Sequence, residues 1–457
     1  MPINSFLYPG AKVIPPFTVA NSLRFNNGSS DNLTRSQSSG NRRTFTFSAW
    51  IKIADPALDP AQIIMENYAD SGNYFIFYIN NNPNEFSFFD YSSSATQLNF
   101  NASQEIRDPS AWYHVCLAID TTQSTESNRV KFYINGSQVT AFDTASYPSQ
   151  NLQTNVNNGN NHMLGRWGSQ NGYGFDGYMA EVVFIDGQQL APTSFGEFDS
   201  DTPTVWKPID VTGLTFGTNG YYLDFEDSSA LGSDAAGSNN FTVNNLTAID
   251  QSTDTCTNNF ATLNSLGHIQ QGTLSEGNLK ITSSSAYKIA PSTIAVSSGK
   301  WYVEHKITGS TPDAMVGVID VEDYQTESSI NYAGDKTNSV GYYKDGRKFI
   351  GNSASSYGAS YTENDIIGIA LDLDSGTKTI IFYKNGSSQG SINLPTGGIE
   401  QFYFLPSPYN ATIEINFGSP SFSISSGNSD ANGHGNFEYS VPSGFYSLNT
   451  KNLAEFG

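Results

Sequence analysis

The sequence predicts an all-β protein built from two antiparallel β-sandwiches in tandem, with an extended N-terminal arm and a short C-terminal tail. Three observations carry this reading. Short apolar or alternating runs recur along the chain, each bounded by Gly, Asn, Asp or Ser turn signals. No helical period persists for more than about two turns. Charged residues make up only 14% of the chain while aromatics reach 13%, with 25 Tyr and 30 Phe, so Asn, Ser, Thr and Gly form the surface over an aromatic core. A chain of 457 residues is long enough for two or three domains, each with its own core.

Residues 1–20 carry Pro2, Pro9, Pro15 and Pro16 and read as an extended arm. The strand pattern starts at Asn21 with SLRFNNG. In NRRTFTFSAWIKI, Phe45, Phe47, Ala49 and Ile51 share one face, while Thr44, Thr46, Ser48, Trp50 and Lys52 share the other. NYFIFYINNNPNEFSFFDY is a hairpin bent at Asn81-Asn82-Pro83-Asn84. AWYHVCLAID and NRVKFYINGSQV form another pair, ended by a tight turn at Asn135-Gly136. HMLGRW and GYMAEVVFIDG follow. The best helix candidate is LAPTSFGEF, with Pro192 near its start. YYLDFED closes a first domain at 21–226, and the Gly/Ser/Asn-rich stretch 227–270 reads as a linker. A second domain spans 271–420. Its clearest part is Asn338–Gly390, four short strands with tight turns at Lys344-Asp345-Gly346-Arg347 and Asp374-Ser375-Gly376-Thr377, because glycine reaches positive φ without a Cβ clash. DIIGIALDLD is apolar at nearly every position and is expected to be covered on both faces or central in a sandwich. The 421–457 tail is expected to pack back on a domain or on a neighbouring subunit.

The first domain resembles the concanavalin A-like jelly rolls of the laminin-G-like branch. The residues that carry this are SLRFNNGSSDNLT, FTFSAWIKI, AWYHVCLAID with VKFYINGSQV, and the ending Phe175, Asp176, Gly177, Glu181 and Val182. The second resembles the SPRY domain through Gly299-Lys300-Trp301-Tyr302-Val303-Glu304, Gly341-Tyr342, Asp365-Ile366-Ile367-Gly368, Leu371-Asp372-Leu373-Asp374, Phe382-Tyr383-Lys384-Asn385-Gly386 and Asn416-Phe417-Gly418. The resemblance implies one sandwich architecture in both halves. With the tail VPSGFYSLNTKNLAEFG, the combination resembles tail and appendage proteins of marine tailed bacteriophages. That implies a virion protein whose partners are other virion proteins and a host cell-surface glycan or protein.

Function classes narrow by composition. Lys and Arg total 22 against 43 Asp and Glu, a net charge of −21, which argues against a nucleic-acid partner. No apolar run approaches a membrane span, and the N-terminus lacks a cationic start and an apolar stretch, so no signal peptide is expected. An uncharged polar surface without an export signal suits a virion component made in the host cytoplasm. Cys116 and Cys256 make no disulfide framework; Cys116 reads as a small buried hydrophobe, with a single Cys116–Cys256 bridge as the alternative. No heptads drive a coiled coil, so a homo-oligomer, a trimer first among the options, would use sandwich faces, the arm or the tail.

No catalytic residues are expected. Retaining glycoside hydrolysis needs two carboxylates roughly 5 Å apart, and the concanavalin-like Glu-x-Asp-x-x-Glu pattern is absent. Asp224 with Glu226, and Asp372 with Asp374, have the i, i+2 spacing but read as turn residues. Calcium is the candidate cofactor that the laminin-G-like resemblance implies; Asp176 and Asp186 are the leading donors, with Asn171 and Asp120 as further ones. Binding is the stronger reading. An aromatic ring stacked on a sugar face, with amides and carboxylates around it, is supplied by Arg166, Trp167, Asn171 and Tyr173. Tyr343, Tyr357 and Tyr361 fall in or near the loops that the SPRY resemblance assigns to protein recognition. The competing readings are a glue or decoration protein and a polysaccharide depolymerase on the same fold.

Overall fold

The structure is a computed structural model that describes residues 17–58, 60–168, 172–269, 271–309 and 312–457. It is nearly all β, in two sandwiches. Most of the expected arm therefore lies outside the described residues.

The N-terminal sandwich packs two sheets over one core. The first runs in the order Ser137–Gln138, Val130–Ile134, Trp112–Asp120, Thr44–Ile53, Gly177–Asp186, Ser22–Phe25 and Gln251–Ser252, and Tyr221–Leu223 also pairs with Gly177–Asp186. The second runs Phe142–Ser146, Ala95–Glu105, Glu85–Ser92, Asn73–Asn80, Ala61–Asp70, Asn161–Leu164, Asn32–Ser36 and Thr242–Asn244. The period-2 reading of Thr44–Ile53 holds, with Phe45, Phe47, Ala49 and Ile51 in the core. Phe77 meets Phe47, Phe88 and Phe132 edge-on at 5.7–6.1 Å, a favoured aromatic geometry. Each such buried ring contributes about 1.5–3 kcal/mol over an exposed one.

The C-terminal sandwich has one sheet ordered Thr273–Ser275, Lys280–Ser283, Ala411–Asn416, Lys300–Thr308, Ile366–Asp372, Thr379–Lys384 and Ser387–Asn393. The other is ordered Ser353–Ser356, Arg347–Ile350, Ser339–Tyr343, Asp313–Asp320 and Phe402–Tyr409. Ile366–Asp372 is buried at every residue, as its unbroken apolar run requires. The tail packs back on this sandwich. Tyr446–Ser447 pairs with Lys300–Thr308 in parallel, and Phe437 lies on Tyr302 and Ala370. Two hydrogen-bond nodes fix the strap. The buried Glu304 carboxylate accepts the Glu438 and Tyr439 N–H groups at 2.9 and 2.8 Å, and Asp430 accepts from Ser447 and Asn452.

Two expectations are corrected. Residues 227–270 are not a linker: Leu231, Phe241 and Leu246 belong to the first core, Thr242–Asn244 and Gln251–Ser252 extend its two sheets, and Ala261 and Leu263 belong to the second core. LAPTSFGEF is a single 3-10 turn at Pro192–Ser194 followed by a strand at Gly196–Phe198, since Gly196 packs its backbone on Trp206. The tail contains a short α-helix, Thr450–Phe456, capped by the Asn449 side chain. Cys116 is buried and Cys256 half-buried, and both are free thiols.

A polar seam joins the sandwiches. Arg24 is fully buried and pairs with Asp250 at 3.0 Å and Glu276 at 3.5 Å. Lys52 is buried against Asp254 at 2.7 Å, with Asn259 and the Phe260 carbonyl completing its donors. Tyr178 donates to the Gly277 carbonyl at 2.8 Å. Gly277 has φ +61 and a Cβ there would enter the Tyr178 ring, so the contact needs glycine.

Candidate ligand-binding face

The second sheet of the N-terminal sandwich turns an aromatic face outward. In Asn73–Asn80, Phe75, Phe77 and Ile79 point into the core, which leaves Tyr74, Ile76 and Tyr78 on the outer side. The register places Tyr68, Tyr74 and Tyr91 in one row, Glu66, Ile76, Phe89 and Asn99 in the next, and Tyr78, Ser87 and Asn101 in a third. Tyr74 touches Phe89 at 5.5 Å and Tyr91 at 5.3 Å. Most of these rings are half-buried, so they present faces and edges to solvent.

The loop after Asn161–Leu164 folds over this face as a hairpin. The Trp167 N–H donates to the Tyr173 carbonyl at 3.0 Å, and Arg166 bridges to Gly174 through the backbone. This lays Trp167 on Tyr74 at 5.7 Å and Tyr173 edge-on against Trp167 at 5.2 Å. Beneath lies a groove of about 260 Å³ lined by Ile63, Ile76, Tyr78, Phe89, Trp167 and Tyr173. Glu66 anchors the loop: one carboxylate oxygen accepts the Gly168 N–H at 2.8 Å, and the other is buried with no partner among the described residues. The Trp167 Nε1–H is likewise buried with no partner among the described residues. Burial pushes the Glu66 carboxyl up to about 7, against the Gly168 hydrogen bond. Near neutral pH this group is thus both acid and carboxylate, able to donate or accept.

The structure places Arg166, Trp167 and Tyr173 in one hairpin. Asn171 lies outside the described residues. Tyr361 is corrected: it is a core residue, 4% exposed, and its hydroxyl donates to the Ala314 and Tyr342 carbonyls. Tyr357 is half-buried against Tyr342 and Phe382, with its hydroxyl on the Gly390 carbonyl. Tyr343 bonds Asp313 at 3.2 Å and lies under the Arg347 guanidinium.

The calcium donors do not fit one site. Asp176 and Asp186 flank the strand Gly177–Asp186 from opposite ends, roughly 30 Å apart at about 3.3 Å per residue. Asp186 is saturated by N–H donors from Asn41, Asn157 and Asn219 at 2.9–3.1 Å. Asp120 is taken up by Thr44, Thr122 and Gln123. Asp176 is pushed up to about 7 by burial and by Asp55, Glu276 and Asp31. Among the described residues no group of three or more His, Cys, Asp or Glu is placed to hold a metal. The carboxylate pairs are turn residues: Asp224 accepts the Glu226 N–H, Asp372 accepts from Asp374 and Ser375, and Asp374 accepts the Gly299 N–H.

Glu66, Tyr74, Tyr78, Phe89 and Tyr91 were not singled out from the sequence. A signal was present, because both faces of NYFIFYIN and of EFSFFDY carry large apolar residues, although one face of an antiparallel sheet is usually polar. Glu66 had none, because its burial depends on a loop about 100 residues downstream.

Comparison with known proteins divides the chain in the same way. The model for the concanavalin A-like lectin/glucanases superfamily matches residues 27–190, and the SPRY domain model matches residues 300–420. Among curated proteins, the dual specificity protein kinase splA of Dictyostelium discoideum is 32% identical over 130 residues, which are 26% of this chain and 5% of the kinase. The chain therefore spans only a small fraction of that relative's length. Among solved structures, the SPRY domain of human HERC1 is 19% identical with a TM-score of 0.26, covering 30% of this chain and 87% of its own. The heptameric SAP-like pentraxin of Limulus polyphemus is 16% identical with a TM-score of 0.27, covering 38% of this chain and 80% of its own. Residues 27–190 thus match a concanavalin A-like domain of the laminin-G type, and residues 300–420 match a SPRY domain.

Proposed function

We propose that this protein is a non-catalytic recognition protein whose N-terminal sandwich holds a cell-surface glycan on its open aromatic face. One observation carries the reading: Trp167 and Tyr173 of the hairpin and the Ile76, Tyr78 and Phe89 side chains form a groove with aromatic walls and Asn80 in its lining. Aromatic faces meet the C–H faces of a pyranose, and the Asn80 carboxamide with the Tyr78 and Tyr173 hydroxyls meets its hydroxyls. Turn roles for the Asp224–Glu226 and Asp372–Asp374 pairs support binding over hydrolysis. In this reading the protein is an appendage or fibre component of a tailed-phage virion, held by other virion proteins and facing the host, as a homo-oligomer. Its composition, poor in charge and rich in Asn, Ser and Thr, suits such an exterior.

The test is a glycan array probed with the purified full chain. Wild type is expected to bind a defined glycan subset, and Trp167→Ala to bind it at least about tenfold more weakly with an unchanged circular dichroism spectrum. Equal binding by both removes this face from the account.

A further inference from the structure

The seam between the sandwiches holds a second groove, of about 310 Å³, distinct from the aromatic face. One wall comes from the end of the N-terminal sandwich, through Ile249, Gln251 and Thr253, and the other from the end of the C-terminal sandwich and the tail, through Ser419, Phe422 and Asn436. We propose that this groove is a binding site for a neutral sugar unit, formed only when both sandwiches are present.

The walls are tied to each other by buried groups. The Arg24 guanidinium donates to the Ile249 carbonyl at 3.1 Å on one wall and to the Pro420 carbonyl at 3.3 Å on the other. The Ser252 and Ser419 hydroxyls meet across the seam at 2.7 Å. Arg24 is itself held by Asp250 and Glu276, so the separation of the walls is set before any ligand arrives. Preorganisation of this kind lowers the ordering cost of binding.

The chemistry of the lining selects the ligand class. No lining residue is charged, so neither an anion nor a cation finds a counter-charge at the walls. Thr253, Ser419, Gln251 and Asn436 offer hydroxyls and carboxamides, while Ile249 and Phe422 offer apolar surface. Ile249 is 38% exposed, high for an aliphatic side chain beside a groove. The Asn436 carboxamide makes no hydrogen bond among the described residues; only its backbone is engaged, with Gly418 and Asn416. A ligand with hydroxyls at its edge and C–H groups on its face matches this mixture. The volume lies at the small end of the roughly 300–1,000 Å³ range of ligand sites, which suits one or two rings. Domain junctions are also where such sites concentrate.

The inference is independent of the glycan reading of the aromatic face, and the test separates them. Saturation-transfer NMR is recorded on the full chain with the methyl glycosides of glucose, galactose and mannose. At least one glycoside is expected to bind, to remain bound in Trp167→Ala, and to lose affinity at least about tenfold in Asn436→Trp, which fills the groove. Ser423→Trp, at the exposed rim, serves as the second filling variant should Asn436→Trp fail to fold. If no glycoside binds the Trp167→Ala chain, or if both filling variants bind as wild type does, the seam site is wrong and the aromatic face is unaffected. Loss of binding in the filling variants with full retention in Trp167→Ala supports the seam site alone.

Discussion

Each sandwich turns two sheet faces away from its core, and the four faces are treated differently. In the C-terminal sandwich both are covered by the chain itself. Phe437, Val441 and Phe445 of the tail lie on Tyr302, Ala370, Ile381 and Tyr383, and Ile269, Ile289, Tyr324 and Ile330 lie on Ile319 and Leu405. In the N-terminal sandwich, Phe195, Val211 and Trp206 cover the first sheet. The second sheet keeps its outer aromatics half-open under one hairpin. The same architecture therefore serves two ends. A covered face adds stability, and an open apolar face that the chain does not fill is the kind of surface on which interaction sites concentrate, which is the ground for the glycan proposal.

Breaking the covered side has the largest effect. Phe437→Ala opens a cavity on the Tyr302 side of the sheet and is expected to cost about 3–5 kcal/mol, measured by urea unfolding of the C-terminal transition. A fragment cut at 271–420 loses Phe437, Leu448, Ala261 and Leu263 from its packing and is expected to aggregate, whereas 260–457 is expected to fold. A folded 271–420 fragment would show that the strap is dispensable. Breaking the seam comes next. Arg24→Ala leaves Asp250 and Glu276 partly buried without their partner, for a loss of roughly 3–5 kcal/mol, read as a fall in the unfolding midpoint.

The third comparison uses pH. Burial raises Asp31 and Asp90 to about 6, Glu66, Asp176 and Glu304 to about 7, and Glu181 to about 8. Between pH 6.5 and 8.5 the unfolded chain has already released these protons while the folded chain still holds some. Stability is therefore expected to fall as pH rises through that window. Burial holds His114, His162 and His305 down to about 3, so their opposing effect is confined to pH below about 6.5, where the unfolded chain takes up protons. Melting curves at pH 6.5 and 8.5 check the sign. Glu66→Gln is expected to recover roughly 1–3 kcal/mol at pH 8.5, because the neutral amide avoids burying a charge. The smallest stability effect belongs to the open face: Trp167→Ala is expected to change unfolding free energy by less than about 1 kcal/mol while weakening ligand binding.

Local pattern made much of the fold legible. The alternation in Thr44–Ile53, the Asn81–Asn84 bend and the Asp-x-Gly turns around Ile366–Asp372 are written in neighbouring residues, and the structure keeps them. What escaped depended on distant partners. Thr242–Asn244 is only three residues long and becomes a strand because Asn32–Ser36, some 210 residues earlier, offers a free edge. Tyr361 sits in a polar stretch that reads as exposed loop, and only the carbonyls of Ala314 and Tyr342 draw it inward. Asp176 and Asp186 look like a donor pair by residue type, yet a ten-residue strand holds them apart. For the proposed binding face, the Trp167 hairpin was visible as composition, while its floor was hidden in the second faces of strands whose first faces already accounted for the core.

The most direct measurement is hydrogen exchange of the full chain with and without the strongest glycan from the array. The account predicts added protection confined to peptides from Ala61–Asp70, Asn73–Asn80, Glu85–Ser92 and the Trp167–Tyr173 hairpin. Protection that appears instead on the Tyr343–Tyr357 loops of the SPRY sandwich, with the N-terminal face unchanged, would contradict it.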